Sequence, residues 1–99
     1  MLTKNDIAKT IQDNIEEIKG YGVKKIGIFG SFARSMQKDK SDVDILVEFE
    51  KGEKAFDNYM ELKFCLERLL HRKVDLVIKD AVKPRIKQVV LREVSYARL

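Results

Sequence analysis

Ser41-Asp42-Val43-Asp44-Ile45-Leu46-Val47-Glu48-Phe49-Glu50 decides the fold. Val43, Ile45, Val47 and Phe49 alternate with Asp42, Asp44, Leu46 and Glu48. Successive side chains on a strand point to opposite faces, so this pattern predicts a strand over 42–50 with one face buried. The two acids stand at its start. Residues two apart project to the same side, with Cα atoms roughly 6.6 Å apart, so Asp42 and Asp44 form a carboxylate pair at one edge of a sheet.

Upstream, Val23 to Phe29 reads as another strand, with Ile26 and Ile28 on one side and Gly27 and Phe29 on the other. Between the two strands, Gly30-Ser31-Phe32-Ala33-Arg34 opens a short helical turn, and Gln37-Lys38-Asp39-Lys40-Ser41 is a polar loop. The chain begins with an amphipathic helix. Thr3 is its N-cap, Asp6 its capping-box partner, and Ile7, Ile11, Ile15 and Ile18 form one apolar stripe. Gly20-Tyr21-Gly22 ends it, because glycine takes the left-handed conformation easily.

Downstream, Lys51-Gly52-Glu53-Lys54 is a turn. Phe56 to Leu70 is a helix with Tyr59, Leu62, Cys65, Leu66, Leu69 and Leu70 toward the core. Val74 to Ile78 is a third strand, with Asp75 and Val77 opposite Val74, Leu76 and Ile78. Pro84 suits the first turn of a last helix that turns Ile86, Val89, Val90 and Val94 inward. Tyr96 to Leu99 fits either a short closing strand or a frayed end. The order α-β-β-α-β-α predicts an α+β fold: a small mixed sheet with flanking helices, in one domain spanning 1–99.

Connectivity brings distant acids together. The helix joining the second and third strands makes them parallel, so Asp44 and Asp75 start side by side. The first strand runs antiparallel to the second and delivers Gly30 to the same edge. Side-chain parity puts Asp42, Asp44 and Asp75 on one open face.

Composition narrows the chemistry. With 44% hydrophobic and 36% charged residues, the chain is a globular domain rather than a disordered one. No apolar run is long enough to span a bilayer, and the first residues lack a signal-peptide pattern. Cys65 is the only cysteine and forms no internal disulfide, so a cytoplasmic location is expected. The net charge of +4 is uneven: residues 63–99 carry ten Lys and Arg against four Asp and Glu. Scattered over helices, with no interleaved aromatics, these cations read as solvated faces rather than a nucleic-acid groove. His71 stands alone, which argues against zinc and against a Ser-His-Asp triad. No Walker-type Gly-Lys-Ser/Thr loop occurs.

Clustered carboxylates repel and raise one another's pKa, and a divalent cation relieves them. Mg²⁺ is held by a few carboxylates together with substrate phosphates, and paired ions about 3.5–4 Å apart serve in-line displacement. Asp42, Asp44 and Asp75 are therefore the candidate metal-binding and catalytic residues, with Asp75 also placed to draw a proton from an attacking hydroxyl. Gly30 lets phosphate oxygens approach the backbone, Ser31 adds a hydroxyl donor, and Arg34 offers a planar fork. These three are the candidate nucleotide-binding residues.

Gly30-Ser31-Phe32-Ala33-Arg34, Ser41-Asp42-Val43-Asp44-Ile45-Leu46-Val47 and Val74-Asp75-Leu76-Val77 together resemble the minimal nucleotidyltransferases of the polymerase-beta-like superfamily. The resemblance covers nearly the whole chain. It implies a polymerase-beta-like core, two Mg²⁺ ions, and transfer of a nucleoside monophosphate from a triphosphate such as ATP. Gly30 and Ser31 would then hold the triphosphate, and Asp42, Asp44 and Asp75 the metals. It further implies a partner, a small helical HEPN toxin, whose tyrosine the antitoxin adenylylates. Where the family has glycine after the arginine, this chain has Ser35. An alternative function is a non-catalytic antitoxin or nucleotide-binding module that neutralises its partner by binding alone. The small size and Ser35 favour that alternative.

Overall fold

The computed structural model describes residues 2–53 and 56–97. Helix α1 (Lys4–Asp13) opens with a complete capping box: the Thr3 hydroxyl accepts the Asp6 N–H at 3.2 Å, and the Asp6 carboxylate accepts the Thr3 N–H at 3.0 Å. The expected single first helix breaks at Asn14 (φ −117°), and α2 (Ile15–Lys19) follows. Asn14 is the cause: its side-chain amide donates to the Thr10 carbonyl at 2.8 Å, a local bond that competes with helix continuation. Ile7, Ile11 and Ile18 are fully buried, whereas Ile15 at the break is half-buried. Of the two closing glycines, Gly22 takes the left-handed conformation (φ 83°) and Gly20 stays helical.

Strand β1 (Val23–Phe29) leads into the four-residue helix α3 (Gly30–Ala33), and β2 (Val43–Phe49) follows the polar loop. Helix α4 (Phe56–Leu70) crosses to β3 (Val74–Ile78). A 3-10 turn (Lys79–Ala81) precedes α5 (Pro84–Glu93), and β4 (Ser95–Tyr96) closes the sheet. The strand order is β3-β2-β1-β4. β1 pairs antiparallel with β2 and β4, and β2 pairs parallel with β3, which gives the mixed sheet expected from the connectivity. Of the two readings of the C-terminal end, the short strand holds for Ser95–Tyr96; Arg98 and Leu99 lie outside the described residues, as does Lys54 of the predicted turn.

One face of the sheet carries the main core. Ile26, Ile28, Val43, Ile45, Val47, Val74 and Leu76 pack with Ile7, Ile11 and Ile18 from the first two helices and Leu62 and Leu66 from α4. Each fully buried Ile or Leu contributes about 1.5–3 kcal/mol relative to exposure. The Tyr59 hydroxyl donates to the Leu76 carbonyl at 2.7 Å and pins α4 to β3. Leu69, expected in the core, is only half-buried.

The other face is only partly covered. Leu46 pairs with Gly27 and is 2% exposed, and the chain leaving α5 lies against Gly27 on this part of the sheet. A Cβ on Gly27 would sit 2.6 Å from Val94 Cγ2 and 2.9 Å from the Ser95 carbonyl oxygen, so glycine permits that approach. α5 is buried through Val90, near its C-terminal end. Ile86 and Val89, expected to point inward, are each 54% exposed. The helix meets the body most closely at Val90, and Ile86 and Val89 are covered on only part of their surface. The acidic corner of this second face stays open.

Candidate active site

The parallel ladder sets Asp44 directly beside Asp75, and the antiparallel ladder sets Phe29, the residue before Gly30, opposite Asp44. Asp42 lies two positions upstream of Asp44, on the same side by parity. Asp42 and Asp75 are exposed; Asp44 is half-buried.

Asp44 is the electrostatic centre of this corner. Its pKa is raised from 3.8 to about 6, first by burial, then by the negative charges of Asp75 and Asp42. The Arg34 guanidinium opposes the shift, and Glu93 adds to it. Three acids crowd a place where removal from water already disfavours charge. Among the described residues, no three His, Cys, Asp or Glu side chains are already drawn together tightly enough to cage an ion. The outer two, Asp42 and Asp75, stand in solvent and can change rotamer. A set of hard carboxylate oxygens with a shortage of positive charge fits Mg²⁺.

Gly30 is required on two counts. Its φ is +73°, and a Cβ at this position would collide with the Asp44 carboxylate. Any other residue would displace either the α3 turn or the Asp44 side chain. Phe32, fully buried, anchors the turn in the main core. Ser35 ends it at φ 57°, a left-handed conformation that glycine would take without strain.

The expected phosphate donors are partly engaged. The Gly30 N–H donates to Glu93 Oε1 at 2.9 Å, and Arg34 Nη1 donates to Glu93 Oε2 at 2.9 Å. Ser31 is the member of the trio that Glu93 does not hold. Burial works against the Glu93 charge, but the Gly30 N–H and the Arg34 bond and charge outweigh it, and the pKa is lowered.

On the opposite flank, Asp42 and Asp75 form one wall of an open cleft of about 700 Å³. Its other walls include Lys63, Glu67, His71, Arg72 and Lys73. Arg72 is fixed there: it donates to the Ser41 carbonyl at 3.4 Å, and its guanidinium lies 5.8 Å from the Phe32 ring centre. Asp42 and Asp75 thus stand between a glycine-serine turn and an open cleft whose far walls mix cations with Glu67.

The sequence matches the nucleotidyltransferase domain over residues 7–97. The chain belongs to that family. Protein adenylyltransferase MntA of Thermococcus cleftensis is 43% identical over 97 residues, which cover 97% of each chain. A solved structure described as a minimal nucleotidyltransferase superposes with a TM-score of 0.83 at 31% identity, over 95% of each chain. A toxin–antitoxin crystal structure with AMP-PNP gives a TM-score of 0.68 at 28% identity, covering 96% of this chain and 72% of that one.

In this nucleotidyltransferase, two groups of side chains beside the corner are brought there by the fold and not by local sequence pattern. Lys63, Arg72 and Lys73 belong to the charge excess of residues 63–99, and only the topology gathers them in the cleft beside Asp75. Glu93 gave no local signal, because its partners lie 63 and 59 residues away in the chain.

Proposed function

We propose that this nucleotidyltransferase is a Mg²⁺-dependent protein adenylyltransferase. It moves AMP from ATP to a tyrosine hydroxyl of a small helical HEPN-type toxin, and so serves as a cytoplasmic antitoxin within a single domain. The supporting observation is the corner itself: Asp44 beside Asp75 in the ladder, against the Cα of Gly30, with its pKa raised to about 6. The similarity to an adenylyltransferase and to a toxin–antitoxin structure with AMP-PNP supports the donor and the partner class.

Each residue then has a role. Asp42, Asp44 and Asp75 would hold two Mg²⁺ ions. When bound, these ions neutralise the triphosphate and the departing pyrophosphate. Gly30, its N–H held by Glu93, lets the turn lie close against the acids, and the Ser31 hydroxyl donates to a phosphate oxygen. Arg34 has five N–H donors, of which Glu93 takes one, so its fork still reaches a phosphate. Asp75 accepts the proton as the tyrosine oxygen attacks the α-phosphorus. The new P–O bond forms as the bond from that phosphorus to the bridging oxygen breaks, and pyrophosphate leaves. The open cleft borders Asp75, so the acceptor tyrosine enters from that side, past Lys63, Arg72 and Lys73.

The test is incubation with ATP labelled at the α-phosphate, Mg²⁺ and the helical protein encoded beside this chain. Label is expected on a partner tyrosine and is lost in Asp44→Asn. An unlabelled partner, under conditions where the two proteins bind, overturns the proposal. Neutralisation that survives Asp44→Asn supports action by binding alone.

A further inference from the structure

We infer that Glu93 is a positioning residue for the triphosphate: it bridges the Gly30 N–H and the Arg34 guanidinium and so holds the α3 turn in register over the acids. The inference rests on the nucleotide-site reading above and names what keeps that site in shape.

The turn cannot hold itself. α3 has four residues, far too few for a stable isolated helix, and it ends at Ser35 in a left-handed conformation that serine disfavours. Phe32 anchors its inner side in the core, which leaves the two ends to be fixed. Glu93 fixes both, with one oxygen on residue 30 and the other on residue 34, each at 2.9 Å. Its own position is set from outside the turn: it is the last residue of α5, and the chain beyond it pairs with β1 through Ser95 and Tyr96.

The bridge also divides labour within the turn. Gly30 presses its Cα side against the Asp44 carboxylate and spends its N–H on Glu93. Arg34 is drawn toward the same corner, where its charge offsets the negative charge that Glu93 adds beside Asp44. Ser31, between the two anchor points, is left to meet the phosphates. A freed turn would place Ser31 and the spare Arg34 donors over a range of positions, and binding would then require ordering them.

Two variants separate reach from charge. Glu93→Asp keeps the charge but is one methylene too short to span both partners. Glu93→Gln keeps the length but turns an amide toward Arg34. Titration with Mg²⁺ and a non-hydrolysable ATP analogue is expected to show about tenfold weaker binding for both, the loss of roughly one charge-assisted hydrogen bond. In turnover assays KM for ATP rises while kcat at saturation is little changed, because the analogue and ATP can still order the turn. In the ligand-free protein, the Gly30 amide exchanges slowly with solvent deuterium, and in Glu93→Ala it exchanges quickly.

Affinity unchanged in both variants overturns the inference, as does a lower melting temperature with unaltered affinity in the folded fraction, which marks a scaffold only. Tighter binding also overturns it and shows the carboxylate competing with the triphosphate. If the unmodified protein itself binds no analogue, the nucleotide-site reading falls and the positioning role with it. Rapid Gly30 exchange in the unmodified protein refutes the bridge independently of any nucleotide.

Discussion

Replacing Asp44 with asparagine should make the ligand-free protein more stable while abolishing its chemistry. Asp44 loses its proton near 3.8 in the unfolded chain and at about 6 in the folded one. Below pH 4 it is protonated in both states and costs nothing. As pH rises from 4 to 6 the folded state holds the proton more tightly, so raising the pH removes stability. Above 6 the full penalty is in force. A unit-for-unit conversion gives about 3 kcal/mol. Asp44 is only half-buried, and solvent screening reduces this to on the order of 1 kcal/mol. In a domain of this size that is worth roughly 4–8 °C of melting temperature. The assay is thermal melting of both proteins from pH 4 to pH 8. The variant should melt several degrees higher at pH 8, and the gap should close toward pH 4. Millimolar Mg²⁺ should narrow the gap at pH 8 by stabilising the unmodified protein alone. A variant no more stable at pH 8, or a gap independent of pH, would refute the reasoning.

Three other perturbations probe the same corner. Gly30→Ala should cost about 1–3 kcal/mol in chemical denaturation and remove nucleotide binding, since its Cβ meets the Asp44 carboxylate and its backbone is left-handed. Ser35→Gly should raise stability by about 1 kcal/mol, because glycine occupies φ 57° without strain; an unchanged denaturation midpoint would count against strain at that residue. Charge reversal of Lys63 and Lys73 together should leave nucleotide affinity nearly intact and reduce labelling of the partner at least tenfold; equal loss of both would place the cleft on the donor side.

The central strand and its neighbours were legible because their patterns are local. Alternation over 43–49 fixes which face is buried, and the length of the 56–70 helix fixes parallel pairing with the next strand. Those two facts bring Asp44 to Asp75 without any knowledge of the remaining chain. Most of what escaped depends on tertiary contacts, and one feature on a local side-chain bond. The break at Asn14 comes from a side-chain bond to Thr10 that the isoleucine stripe does not register. Leu46 has the parity of an exposed residue, yet it is buried beside Gly27, against which the chain leaving α5 lies. Ile86 and Val89 have the spacing of core residues, but α5 docks by its other end. Glu93 reads as one more charge at a helix end until the fold sets it against Gly30 and Arg34.

The most direct measurement is a crystal structure grown with Mn²⁺ and a non-hydrolysable ATP analogue, with the metals located by anomalous scattering. Manganese peaks bracketed by the carboxylates of Asp42, Asp44 and Asp75, with the triphosphate tail on Ser31, are the predicted result. Manganese or nucleotide bound away from this corner, with the three acids facing only solvent, would contradict the account.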